Sequence, residues 1–185
     1  MSSAPLFSRI AVIGLGLIGS SIARAVTQLG LAGELVATDA SAEVRTRATE
    51  IKLADRIAAT NAEAAKDADL VIACVPVGAC ADVAASIAPH LKAGAIVSDV
   101  GSVKGAVLRA MAPALPPSVH FIPAHPVAGT ENSGPDAGFA ELFINRWCIL
   151  TPPEGVDQAA LDKLAAFWRA LGANVEVMTA DHHDL

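Results

Sequence analysis

The feature that most constrains this chain is Gly14-Leu15-Gly16-Leu17-Ile18-Gly19, which follows an apolar run at 9–13 and opens a helical pattern at 18–29. A strand that turns at once into a helix needs glycines for separate reasons. Gly14 permits the tight turn, Gly16 lets a ligand approach the backbone, and Gly19 lets the helix pack closely on the strand. The first turn of such a helix presents unpaired N–H groups and a positive partial charge, so the loop suits a phosphate. By itself the hexapeptide is weak evidence; its context gives it weight.

The rest of the chain repeats the same alternation. Short apolar, β-rich runs at 35–39, 70–75, 95–99, 119–124, 147–150 and 174–178, with a weaker one at 56–58, are predicted as strands. Helical patterns occupy 81–91, 103–111 and 156–171. Strands alternating with helices predict an α/β protein of the Rossmann type: a doubly wound, mainly parallel sheet with helices on both faces. No internal repeat or low-complexity segment divides it. Residues 1–8 are expected to form a flexible N-terminus, and residues 9–179 a single dinucleotide-binding and catalytic domain. Residues 180–185, capped by Thr179 or Asp181, read as the first turn of a helix too short to stand alone.

Composition excludes several classes. A net charge of −6, with basic residues scattered apart from Arg45 and Arg47, leaves no surface for nucleic-acid phosphates. The longest apolar run, 70–81, is broken by Pro76 and Gly78 and falls short of the ~20 residues of a membrane span. No basic stretch followed by an apolar block marks the start as a signal peptide. Cys74, Cys80 and Cys148 form neither a Cys-x-x-Cys pair nor an even set, which suggests no disulfide framework, no metal site and a reducing cytoplasm. His182 and His183 are adjacent and point in different directions from a helix, so they make a poor chelate. The absence of tyrosine rules out a Tyr-x-x-x-Lys acid–base pair.

Asp39 ends the second predicted strand 20 residues past Gly19, where an acid would bind the adenosine ribose hydroxyls of a dinucleotide and repel a 2′-phosphate. NAD is therefore expected over NADP, with Arg45 as the residue that could reverse the preference. Ligands of such sheets lie beyond the carboxyl ends of the strands. That places Val75 and Pro76, then Ser102, then His125 around one crevice with Gly14, Gly16, Leu17, Ile18 and Gly19. A hydride leaves a carbinol carbon readily only if its hydroxyl proton is withdrawn, and the near-neutral pKa of histidine suits His125 to that role.

The motifs His-Pro-Val-Ala-Gly-Thr-Glu-x-Ser-Gly-Pro at 125–135, Asp-Val-Gly-Ser-Val-Lys at 99–104 and Ile-Leu-Thr-Pro at 149–152 resemble those of the prephenate/arogenate dehydrogenase family. The resemblance runs from about Arg9 to the end. It implies NAD-dependent oxidative decarboxylation of prephenate or arogenate on the route to tyrosine. His125 would take the proton of the ring hydroxyl, and Ser102 would hydrogen-bond near it. Thr130 and Glu131 would stand on the substrate side, with Glu131 gating the pocket. It also implies a further, all-helical domain beyond residue 185 that adds arginines and a histidine and forms a homodimer. Two other readings stay open: a different Rossmann-type hydroxyacid dehydrogenase, which would leave 125–134 unexplained, and a non-catalytic NAD-binding module.

Overall fold

The computed structural model of the chain describes residues 4–185. Its centre is β1 (Phe7–Ile13), in which side chains alternate between two faces. Ile10 and Val12 enter one apolar core, Ala11 and Ile13 the other. The same period of two runs through β2 (Ala32–Thr38), β4 (Leu70–Ala73) and β5 (Ile96–Asp99). Strands buried on both faces must be covered by helices on both, and the connections supply them. With β3 (Arg56–Ile57) and β6 (His120–Phe121), these strands form a parallel six-stranded sheet in the order β3-β2-β1-β4-β5-β6. Successive connections leave β1 to one side and β4 to the other, so a crevice opens at the carboxyl ends of β1 and β4.

β1 begins at Phe7, two residues before the expected start, because Phe7 is buried against Phe167 in the core. The flexible N-terminus expected over 1–8 is thus already strand by Phe7, and residues 1–3 lie outside those described. Helices α1 (Leu17–Leu29), α4 (Val77–Ile87), α5 (Lys104–Met111) and α6 (Gln158–Ala170) fall close to the expected patterns. α4 opens four residues earlier than expected, directly after Pro76. Two further helices, α2 (Ala42–Glu50) and α3 (Asn61–Ala65), carry little apolar signal. α2 buries only Ala48 and is marked mainly by its cap, Ser41, whose hydroxyl accepts from the Val44 N–H.

The largest departure concerns the single strand expected over 119–124. Pro123 has no N–H to give to a ladder, and there the chain leaves the large sheet. β7 (Ala124–Pro126) pairs instead with β8 (Trp147–Leu150), antiparallel, His125 opposite Ile149. β9 (Asn174–Val177) runs parallel to β8 and completes a second, three-stranded sheet. The chain ends in α7 (Ala180–His183), one turn long, with the Thr179 hydroxyl accepting from the His182 N–H as expected of a cap. Among the described residues no helix is long and apolar enough to cross a membrane.

Candidate active site

The three loop glycines separate by what surrounds them. Gly14 has φ +97°, and a Cβ there would lie 2.2 Å from the Cys74 carbonyl oxygen. A Cβ on Gly19 would lie 1.8 Å from the Gly14 carbonyl oxygen. Both are demanded by the fold. Gly16 is different: it is exposed, has φ −74°, and a Cβ there would meet nothing within 4 Å. Nothing in the chain requires glycine at that position, so the open space fits a group from outside.

That space faces the start of α1. No side chain caps this helix and no acid lies in its first turn; the Ser20 hydroxyl turns back to the Gly16 carbonyl at 2.6 Å. The N–H groups of Leu17, Ile18 and Gly19 meet no acceptor among the described residues, and with the helix dipole they suit a pyrophosphate. Asp39 stands beside the loop, just past β2: one oxygen accepts from the Leu15 N–H at 2.8 Å and the other from the Ser41 N–H at 2.9 Å. A carboxylate offers about four lone-pair sites, so both oxygens keep capacity for ribose hydroxyls. Arg45 donates to the carbonyls of Asp39 and Ala40, at 2.7 and 3.2 Å. Val75 packs on Gly14, and Pro76 is the exposed residue from which α4 starts. The glycine loop, Asp39 and Val75 thus lie together past the carboxyl ends of β1, β2 and β4, an arrangement that suits a dinucleotide.

His125 is fixed by a buried bolt. Lys104 Nζ donates to Asp99 Oδ2 and to the Ala124 carbonyl, each at 2.6 Å, with both charged side chains essentially out of solvent. Asp99 also accepts from the N–H groups of Gly101 and Ala124, at 2.7 and 3.1 Å. Burial pushes the Asp99 carboxyl up and the Lys104 ammonium down from their ordinary values, and each offsets this by its charge on the other. The bolt ties the end of β5, the start of α5 and β7 into one corner, immediately before His125. The imidazole is half-buried, and its pKa is lowered to about 4, first by burial, then by His183 and Lys104. At neutral pH it is uncharged, as a proton acceptor must be.

The partner of His125 is His183, on α7. Their Nδ1 and Nε2 atoms lie 2.9 Å apart, and His183 Nδ1 lies 2.8 Å from Asp184 Oδ1. From the sequence His183 suggests at most a metal ligand, and Asp184 carries no signal of its own. Among the described residues no three His, Cys, Asp or Glu groups are arranged to hold a metal. The available signal was the capped single turn itself, which needs a docking partner to persist.

Ser102, Thr130 and Glu131 are not gathered in the same way. Ser102 is exposed between β5 and α5, and among the described residues its hydroxyl bonds neither His125 nor any other group. Thr130 accepts from the Asn132 N–H within its own loop, and Glu131 is exposed. That loop is nevertheless strapped across the start of α1. Arg24 donates to the Pro135 carbonyl at 2.8 Å, Ser21 accepts from the Phe139 N–H at 3.1 Å, and Arg47 forks onto Asp136. Its Thr130–Glu131 tip thereby projects from a segment anchored on the glycine-loop helix.

Similarity to known proteins extends over nearly the whole chain. Residues 22–177 match the family described as prephenate dehydrogenase, nucleotide-binding domain, a range that opens just past the glycine loop. Over 179 residues the chain is 45% identical to a cyclohexadienyl dehydrogenase of Zymomonas mobilis, covering 97% of this chain and 61% of that protein. An arogenate dehydrogenase structure from Synechocystis superposes with a TM-score of 0.87 at 31% identity, over 95% of this chain and 61% of that one. A prephenate dehydrogenase structure from Aquifex aeolicus, in complex with hydroxyphenyl propionate and NAD+, gives 0.87 at 27% identity, over 100% and 63%. The chain thus spans about three fifths of the length of each. It belongs to the prephenate dehydrogenase family, of which it is the nucleotide-binding domain.

Proposed function

We propose that this chain binds NAD and takes part in the oxidative decarboxylation of prephenate or arogenate, with His125 as the base. The observation that carries the reading is an uncharged histidine, bolted through Ala124 to the carboxyl end of β5, the same edge of the parallel sheet at which the glycine loop follows β1. A nicotinamide, when bound, supplies the hydride acceptor. His125 withdraws the ring hydroxyl proton as the hydride leaves the same carbon. The ring carboxylate then departs as CO2, its bonding electrons complete the aromatic ring, and the phenolic oxygen regains a proton. Ser102 and the Thr130–Glu131 tip are candidates for contact with the substrate.

NAD is the favoured dinucleotide because the Asp39 carboxylate would repel a 2′-phosphate and the Arg45 guanidinium is engaged by backbone carbonyls. Calorimetric titration of both cofactors into the chain should show NAD bound at least about tenfold more tightly, since hydrogen bonds to a charged acceptor contribute ~1.5–3 kcal/mol. Preference for NADP would reverse the assignment. For the reaction, the chain can be fused to the part of the Zymomonas relative that it does not cover and assayed with both substrates. His125→Asn should leave NAD affinity unchanged and lower turnover by about 10²–10⁴; turnover within threefold of the unsubstituted fusion would remove His125 as the base.

A further inference from the structure

The contacts behind His125 carry an inference about how its proton is handled. Asp184 is a carboxylate held well below its usual range, at about 2, by the His183 hydrogen bond and then by the N–H groups of Gly105 and Lys104. Those N–H groups donate at 2.8 Å to Oδ2 and 2.9 Å to Oδ1. An ionised carboxylate only accepts, so the Nδ1 of His183 at 2.8 Å must bear hydrogen. A neutral His183 then has a bare Nε2. Two ring nitrogens 2.9 Å apart need one proton between them, and the one left to supply it is Nδ1 of His125. The rings meet at 73° with centroids 5.1 Å apart, an edge contact directed nitrogen to nitrogen. With its proton on Nδ1, His125 presents a bare Nε2.

We propose that His183 and Asp184 are positioning residues: they hold His125 as the Nδ1–H tautomer, with Nε2 free to take a proton, and His183 receives the Nδ1 proton as it does so. The inference rests on the reading of His125 as the base. In the step, the O–H bond of the substrate breaks and its proton joins Nε2 of His125. The Nδ1–H bond of His125 breaks, and that proton joins Nε2 of His183. His125 ends neutral, now as the Nε2–H tautomer, and the positive charge rests on His183 against the Asp184 carboxylate. Reversal of both transfers returns a proton to the phenolic oxygen.

The surroundings explain why a relay is needed. Among the described residues, the titratable groups that act on the His125 imidazole are His183 and Lys104, the latter paired with Asp99. A cation on His125 itself would be partly desolvated and would stand near Lys104. Moved to His183 it stands 2.8 Å from a carboxylate. The second histidine converts a weak base in an unfavourable place into one whose charge is compensated.

Imidazole nitrogen shifts of the five histidines, read by NMR on the histidine-labelled chain, test this without turnover. Near pH 7, His125 and His183 should both be Nδ1–H with bare Nε2. On mild acidification the pair should take up one proton: His183 becomes doubly protonated while His125 stays neutral and switches to Nε2–H. In His183→Ala the His125 signal should move from predominantly Nδ1–H to predominantly Nε2–H already at pH 7. His183→Gln, which can still accept from Nδ1, should keep the Nδ1–H form and lose the switch. Both variants retain Asp184, so unchanged Lys104 and Gly105 amide signals will show α7 still docked. An Nε2–H form of His125 in the unsubstituted chain at pH 7, an unchanged tautomer in His183→Ala, or first protonation on His125 would each overturn the proposal. Loss of His125 as the base would appear separately, in the turnover of His125→Asn.

Discussion

Three glycines of one motif answer to three different demands, and the difference can be measured. Gly14 and Gly19 are excluded from substitution by backbone oxygens at 2.2 and 1.8 Å from the added carbon, whereas Gly16 has only open space in front of it. Gly16→Ala should therefore shift the melting temperature by less than about 2 °C, under roughly 1 kcal/mol for a chain of this size. It should raise the dissociation constant for NAD at least about tenfold, because the new methyl group occupies the approach of the pyrophosphate. Gly19→Ala should instead lower the melting temperature several times further. Calorimetry and thermal melts on the two variants decide it; wild-type NAD binding by Gly16→Ala would show that the pyrophosphate does not approach there. The motif template made these positions visible in the sequence, and likewise Asp39 at its fixed distance. It could not show that Asp39 also holds the loop through Leu15, since a hydrogen bond spanning 24 residues leaves no local pattern.

At the level of elements, legibility followed the strength of the apolar period. α1, α6 and the central strands were evident because each buries a face; α2 was not, because it buries one alanine. The division of the strand at Pro123 was written in the proline but masked by continuous apolarity around it. α7 shows the complementary case, in which sequence marks an element but not what retains it. Val103, at the N-cap of α5, offers no side-chain acceptor, and Asp184, 80 residues beyond Lys104, accepts from both Lys104 and Gly105 in its place. Because the folded carboxyl titrates at about 2 and not near 3.8, its contribution is complete above about pH 4 and is lost as pH falls through about 2. The pKa of His125 near 4 adds an imidazolium beside His183 over the same interval. Hydrogen-exchange protection at the Lys104 and Gly105 amides should fall between pH 4 and 2, relative to intrinsic rates, while Ile72 and Val97 in the sheet keep theirs. Asp184→Ala should produce the same local loss at pH 7. Equal protection in that variant would mean that α7 is held by other contacts.

For the molecule as a whole, the proposed function makes different demands on these 185 residues for cofactor and for substrate. Most of what would suit the chain to a dinucleotide is local to β1, α1 and β2: the open space at Gly16, the N–H groups of α1 that meet no acceptor among the described residues and the Asp39 carboxylate. Prephenate is a different problem. It carries two carboxylates, and removing them from water requires cations placed opposite, most effectively as arginine forks. The chain carries a net charge of −6. Lys104, the cation that acts on His125, is buried and committed to Asp99 and the Ala124 carbonyl. Arg24 and Arg47 are engaged in strapping the 134–139 segment to α1 and α2. Freeing Lys104 would leave the Asp99 carboxylate buried without its counter-charge, a cost a substrate carboxylate could not recover. The 185-residue chain should therefore bind NAD in a calorimeter while showing no measurable heat with prephenate and no NADH absorbance when both are present. The fusion that adds the uncovered part of the Zymomonas relative should gain prephenate binding with little change in NAD affinity, because the added charges act on one half of the site only. Turnover by the 185 residues alone would mean that cations already present rearrange around the substrate, and the first place to look would be a broken Lys104–Asp99 pair.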